Sequence, residues 1–350
     1  MHILIKNLII RADASAQIGT GHIMRCLALA QGWQDGGGQA IFVLANKSPI
    51  LEARLLLEGM QVVHLSGEAG RNEDAQQTAN FAQQFNAQWV VVDGYHFGAT
   101  YQKSIKDFDL SLLFIDDYGH ADRYYADIVL NQNISAKASI YKDYESYTQL
   151  LLGTKYTLLR REFLLWRDWQ RVINLTASKI LVTLGGSDPD NVTLRVIQAL
   201  QQVNIDGLEV IIIVGGSNPH YESLQSEVVA SHLPISLQRN VNNMPKLIAW
   251  ADIAIAAGGS TNWELAFMGL PSIVITVADN QKAIASELDA QGIIINLGWH
   301  QNLTIERIGW ALQGLIGDHP KRESMSRKGQ KLVKGNGVSL IASQMLNMLM

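Results

Sequence analysis

The chain has 350 residues, 47% of them hydrophobic and 17% charged, the balance of a folded globular protein long enough for two domains. Its formal net charge is -4 with no basic block, which argues against a nucleic-acid partner. A single cysteine, Cys26, excludes a disulfide framework and fits a reducing cytoplasm, where it reads as a small core residue.

The opening run MHILIKNLIIRAD is apolar but broken by Lys6 and Arg11. It lacks the features of a signal peptide, and no apolar run reaches membrane-spanning length. A cytoplasmic protein without membrane insertion is therefore expected. From ILIKNLIIRAD onward, short apolar runs alternate with helical patterns. GHIMRCLALAQGWQ reads as a helix with Ile23, Leu27 and Ala30 on one side. AIFVLAN, QVVHL, QWVVVDG and LSLLFIDDYG read as strands, and PILEARLLLEG, EDAQQTANFAQQF and TYQKSIKDF as the helices between them. Such alternation predicts a parallel sheet covered by helices on both faces.

The pattern blurs between ADIVLNQN and REFLLWRDWQRVINLTASK, and a linker is placed near residues 166–178. Alternation restarts at KILVTLGGSDPDN and runs to GIIINLGW, with two or three helices at the end. The expected fold is α/β, with two facing Rossmann-like domains, parallel sheets and a central cleft. The domains are residues 1–166 and 167–350, the terminal helices packing back on the first.

Open parallel sheets bind ligands beyond the carboxyl ends of their strands. Asp13, the stretch DGYH (93–96) and the stretch DDYGH (116–120) all fall there. Asp after a strand is also an ordinary turn or cap residue; it is their common edge that points to a site. In the second half a strand ends in Gly-Gly-Ser three times, at 185–187, 215–217 and 258–260. Glycine permits a sharp turn, and a following helix start offers unpaired N–H groups to an anion such as phosphate. Asp188-Pro189 and Asn218-Pro219 read as helix caps with Pro at the first helical position, so helix entry without a ligand explains any one copy. One or two of the three are expected to contact a diphosphate.

Other phosphate and metal motifs are missing. There is no P-loop, and Gly19-x-Gly21 lacks the third glycine of a dinucleotide fingerprint. The nine histidines are scattered, so neither a metal nor a cofactor is expected. His22, at the start of a helix, is disfavoured as an imidazolium there and suits a general base. The bland alternative is a partly exposed polar residue. Arg25, nearly one turn on, is expected to meet an anion or to pair with Asp13.

RADASAQIGTGHIMRCLALA resembles the N-terminal signature of the UDP-sugar hydrolases of pseudaminic acid biosynthesis, the PseG family. VVDGY, FIDDYG, DIVLNQN, GTKYTLLRREF, VTLGGSDPDN and AAGGSTNWELAFMGLPSIVITVADNQ continue the resemblance in order. That family is similar in turn to the peptidoglycan N-acetylglucosaminyltransferase of GT-B fold. The resemblance implies hydrolysis of UDP-2,4-diacetamido-2,4,6-trideoxy-β-L-altropyranose to UDP and the free sugar, with inversion and without metal. It implies that His22 activates water, with the Gly19/Gly21 turn facing the sugar. Asp13, Arg25 and Tyr95 then shape the sugar side, and Asn280 and Gln281 reach the sugar. UDP is expected in the C-terminal domain. There Gly185 and Ser187 face the phosphates, the turn at Gly259, Ser260 and Thr261 holds the diphosphate, Glu264 takes the ribose hydroxyls and Val241 lies at the uracil. A monomer is the expected state. The rival readings are a GT-B glycosyltransferase using a UDP-amino sugar donor, a non-catalytic UDP-sugar binder, and a UDP-sugar 2-epimerase.

Overall fold

Two all-parallel sheets carry the chain. They are seen in a computed structural model that describes residues 6–14, 19–203 and 205–349. The first half runs β1 (Asn7–Ala12), α1 (Gly21–Asp35), β2 (Gln39–Leu44), α2 (Pro49–Leu57), β3 (Gln61–His64), α3 (Asn72–Gln84), β4 (Ala87–Asp93), α4 (Ala99–Lys106), β5 (Ser111–Ile115), β6 (Ile128–Asn131) and β7 (Gln149–Leu152). After α5 (Arg161–Leu164) come β8 (Lys179–Thr183), α6 (Val192–Gln201), β9 (Glu209–Val214), α7 (Tyr221–Ala230), β10 (Ile235–Arg239), α8 (Met244–Trp250) and β11 (Ile253–Ala257). The chain then continues through α9 (Thr261–Phe267), β12 (Ser272–Thr276), α10 (Lys282–Ala290) and β13 (Ile294–Trp299) to α11 (Ile305–Gly317), α12 (His319–Leu332) and α13 (Gly337–Asn347).

The strand orders are β3-β2-β1-β4-β5-β6-β7 and β10-β9-β8-β11-β12-β13. Every pairing in both sheets is parallel. This is the doubly wound, Rossmann-like arrangement that the alternation predicts. Strands buried on both faces need apolar residues at nearly every position. Accordingly Leu8–Ala12 and Ile253–Ala257 are buried throughout. Successive side chains of β1 enter opposite layers: Leu8 and Ile10 join Trp33 and Trp89 on one face, and Ile9 joins Val90 and Phe114 on the other.

Two compact units result. One consists of Met1–Ser15, His22–Arg161 and Asn336–Met350, and the other of Ala16–Gly21 and Glu162–Gly335. The last helix, α13, thus belongs with the first unit. Its Val338, Ile341 and Met345 enter that unit's core, and Trp89 donates to the Met345 carbonyl at 3.2 Å. A Cβ on Gly337 would sit 2.3 Å from the Thr157 carbonyl oxygen, so this approach requires glycine. Strands β6 and β7, only four residues each, extend the first sheet through the stretch where the sequence pattern blurs. No helix of the described residues is long and apolar enough to cross a membrane.

Two helix starts differ from expectation. Pro189 does not open α6, which begins at Val192 after a loop with Gly185, Asp188 and Asn191 at positive φ. Asp188 still caps from a distance, accepting from the amides of Val192 (2.8 Å) and Thr193 (2.9 Å) and from the Thr193 hydroxyl (2.6 Å). Asn218 likewise accepts from the amide of His220, and α7 starts only at Tyr221. Asp188→Ala is expected to cost about 1–2 kcal/mol of stability, the range of a lost helix cap, read as a lower urea midpoint. An unchanged midpoint contradicts this assignment.

Candidate active site

In the first sheet the strand order turns at β1 and β4, which lie side by side with Ala12 opposite Asp93. Helix α1 leaves β1 and passes over this edge. His22, Arg25 and Cys26 stand three and four residues apart on it, hence on one face. All three meet Asp93, which is 0% exposed. The Nδ1 of His22 lies 2.6 Å from Asp93 Oδ1. Arg25 donates from Nη2 to Asp93 Oδ1 (2.6 Å), from Nε to Asp93 Oδ2 (2.7 Å) and from Nη1 to Asp117 Oδ1 (2.7 Å). The Cys26 thiol points at Asp93 Oδ2 from 3.4 Å.

Asp117, just beyond β5, gathers a second set of donors. It accepts from the Tyr95 hydroxyl at 2.6 Å and from the Asn133 amide at 2.8 Å. The Tyr95 ring stands edge-on to His22, with centroids 4.9 Å apart. Tyr95, Asp117, Arg25, Asp93 and His22 therefore form one connected polar chain. Burial alone would raise the Asp93 and Asp117 carboxyls, but the Arg25 guanidinium between them holds both below the usual carboxylate range. Burial, reinforced by Asp117, pushes the Tyr95 phenol up. Burial, reinforced by Asp93, pushes the Cys26 thiol up, which fits a core residue rather than a nucleophile.

The expected Asp13–Arg25 pair is not formed. Asp13 pairs instead with Arg11 at 2.7 Å, accepts from the Ala45 amide at 2.9 Å and lies 3.4 Å from His96 Nε2. Arg11, fully buried, also holds Asp74 through Nε and Nη2. Arg25 is instead consumed by Asp93 and Asp117, carboxylates that the ends of β4 and β5 bring within its reach.

The second sheet turns at β8 and β11, which are also neighbours. Parallel strands put their carboxyl ends on one edge, and the residues expected at UDP, with Asn280 and Gln281 expected at the sugar, all follow strands of this sheet there. Gly185 and Ser187 follow β8, Val241 follows β10, Gly259 to Thr261 and Glu264 follow β11, and Asn280 and Gln281 follow β12. Two of the three Gly-Gly-Ser turns thus flank the switch point. The third serves packing: a Cβ on Gly215 would lie 2.1 Å from the Gly186 carbonyl oxygen.

The turn at 258–260 is fastened by side chains. Gln281 Oε1 accepts from the amides of Gly258 (3.1 Å) and Val277 (3.0 Å). Asn262 donates to the carbonyls of Ala257 (3.0 Å) and Gly259 (2.9 Å). Gln281 is thus engaged through its carbonyl oxygen in holding the turn. Ser260 is the N-cap of α9 and makes no side-chain cap bond. Gly19 and Gly21 cluster with this unit, where the position of a Gly21 Cβ is 3.6 Å from Ser260 Oγ. Among the described residues no group of three His, Cys, Asp or Glu side chains is placed to hold a metal ion.

With this geometry in place, comparison with known proteins finds a match over the second half of the chain and relatives over most of it. Residues 180–345 match the glycosyltransferase family 28 C-terminal domain. The chain is 26% identical over 338 residues to the spore coat polysaccharide biosynthesis protein SpsG of Bacillus subtilis, covering 93% of this chain and 94% of that one. It is also 26% identical over 291 residues to the UDP-2,4-diacetamido-2,4,6-trideoxy-beta-L-altropyranose hydrolase of Campylobacter jejuni, covering 81% and 97%. In structure it is similar to Acinetobacter baumannii MurG, with a TM-score of 0.65 and 15% identity over 98% of this chain and 99% of that one. The fold is accordingly of the GT-B kind.

The sequence reading puts the stretches holding Asp93 and Asp117 at the edge of the site but does not pair them with α1, and it misses Asn262 as a brace of the turn. The signal for Asp93 is present. It is the last residue of the strand that neighbours β1 in a doubly wound sheet, below the first turn of α1.

The buried carboxylates set a pH dependence of stability. Burial would raise Asp13, Asp74, Asp93, Asp116 and Asp117, but their cationic and hydrogen-bonding partners hold all five below the ordinary value. A carboxyl lowered in the folded state stabilises fully above its unfolded value of about 3.9, and that contribution is lost as pH falls toward the folded value. The urea midpoint should therefore fall steeply below about pH 4. A midpoint that stays level there contradicts the assignment.

Proposed function

We propose that the chain is an enzyme acting on a UDP-sugar, and specifically a hydrolase that releases UDP and the free sugar from a UDP-diacetamido-trideoxy hexose in pseudaminic acid biosynthesis. The observation that carries the reading is His22, 6% exposed, seated on a buried carboxylate at the switch point of the first sheet. Similarity to a Campylobacter hydrolase over 97% of that protein's length supports the choice of substrate.

In this reading the second unit binds UDP. The Gly259–Thr261 turn and Ser187 take the diphosphate, Glu264 the ribose hydroxyls, and the backbone at Val241 the uracil. Asn280 and the amide end of Gln281 reach the sugar. From the first unit His22 accepts a proton from water through Nε2, and Tyr95 lines the sugar. The water oxygen bonds to the anomeric carbon as the bond from that carbon to the β-phosphate oxygen breaks. Its electron pair leaves on UDP, and the configuration inverts. Fixed backbone N–H dipoles meet the charge that develops on UDP. A diphosphate leaves without protonation, so the paired carboxylates of ordinary glycosidases are not required.

The second reading is a glycosyltransferase with a UDP-amino sugar donor, favoured by the family match over 180–345. Incubating the protein with UDP-2,4-diacetamido-2,4,6-trideoxy-β-L-altropyranose and no acceptor separates the two. The hydrolase reading predicts stoichiometric UDP release over many turnovers, undiminished after exhaustive EDTA treatment. Release only on adding an acceptor alcohol establishes the transferase. Loss with EDTA and recovery with Mg²⁺ removes the metal-independent mechanism.

A further inference from the structure

The contacts around His22 decide which ring nitrogen carries the proton. Two groups approach Nδ1: Asp93 Oδ1 at 2.6 Å and Arg25 Nη2 at 3.2 Å. A guanidinium only donates, and a carboxylate only accepts. If Nδ1 were bare it would face the Asp93 oxygen lone pair to lone pair at 2.6 Å, a separation at which only a hydrogen bond is stable. If Nδ1 carries the proton, both Nδ1–H and Arg25 Nη2–H donate to the same Oδ1. The 3.2 Å between the two nitrogens then follows from sharing one acceptor.

Charge points the same way. The buried group holds one guanidinium, Arg25, and two carboxylates, Asp93 and Asp117. With a neutral imidazole the set carries an excess negative charge. When Nε2 takes a proton, the imidazolium balances it. Arg25 itself is gripped at three donor nitrogens, so Asp93 is fixed from behind and cannot follow another donor away from His22.

Building on the reading of His22 as the base, we propose that Asp93 is a positioning residue that holds His22 as the Nδ1–H tautomer, aims Nε2 at water, and supplies the counter-charge for the imidazolium formed in the reaction. Proton bookkeeping is then simple. Nδ1–H stays on His22 throughout, Nε2 gains the proton of water, and that proton leaves to solvent after UDP departs. A carboxylate that orients a histidine base in this way contributes without ever being protonated.

The test starts on the unaltered protein, labelled with ¹⁵N-histidine and free of substrate. His22→Gln assigns the resonances, because they vanish from its spectrum. The expected His22 signature is a protonated Nδ1 and a bare Nε2; a protonated Nε2 with a bare Nδ1 overturns the proposal. In Asp93→Asn the amide must turn a donor toward donors, so kcat should fall by about 10²–10⁴-fold, with KM and UDP affinity unchanged and the Nδ1–H signature lost. Turnover at the parent rate in Asp93→Asn overturns the proposal. If that variant does not fold, the spectrum of the unaltered protein decides alone. The underlying reading fails separately: full turnover in His22→Gln removes His22 as the base, and this inference with it. Lost turnover in His22→Gln beside a protonated Nε2 removes only the role of Asp93.

Discussion

His22→Ala is expected to lower turnover by about 10²-fold or more, the usual contribution of a general base, while UDP affinity stays at the parent value. Asp93 keeps its two bonds from Arg25, so no carboxylate is stranded and the fold is retained. Only the proton acceptor is lost. The UDP contacts in this account belong to the second unit, on loops after β8, β10 and β11, and none of them passes through His22. Steady-state kinetics and titration calorimetry with UDP on the same preparation check both halves. Near-normal turnover removes His22 from catalysis. A large loss of UDP affinity places the nucleotide at the first sheet instead.

Glu264→Ala is expected to do the reverse. The residue lies in the first turn of α9, one turn beyond the Gly258–Ser260 bend, and is half-buried. A carboxylate that receives both ribose hydroxyls makes charge-assisted hydrogen bonds, and deleting it costs about 1–3 kcal/mol, or roughly 5- to 150-fold in Kd. UDP and the UDP-sugar should weaken by similar factors, because the ribose is common to both. Calorimetry of UDP against Glu264→Ala reads this directly. Parent-like affinity rejects the ribose assignment.

Much of the architecture is legible because parallel strands must be apolar at nearly every position. Runs such as LIIRA and IAIAA declare themselves, and the Gly-Gly-Ser turns mark where a chain leaves a strand. Strands β6 and β7 do not declare themselves. Four residues are too few for a period, and the connections between them are built from tyrosine side chains and isolated turns. The start of α6 is displaced because Asp188 and Asn191 take left-handed backbone conformations, which add residues before the helix begins. The Asp13–Arg25 pair does not form for a topological reason. Asp13 is nearer in sequence, but the winding of the sheet lays β4 beside β1, and Asp93 reaches α1 first. His22 was readable from its place after the glycine turn. Its partner was readable only once strand order was known, since Asp93 is 71 residues away.

In the proposed reaction water attacks the anomeric carbon and UDP departs intact. Turnover of the UDP-sugar in ¹⁸O-water, with no acceptor, followed by mass analysis of the UDP, distinguishes attack at carbon from attack at phosphorus. Attack at carbon leaves every phosphate oxygen in place, so unlabelled UDP is expected. UDP carrying ¹⁸O would mean attack at phosphorus and would contradict it.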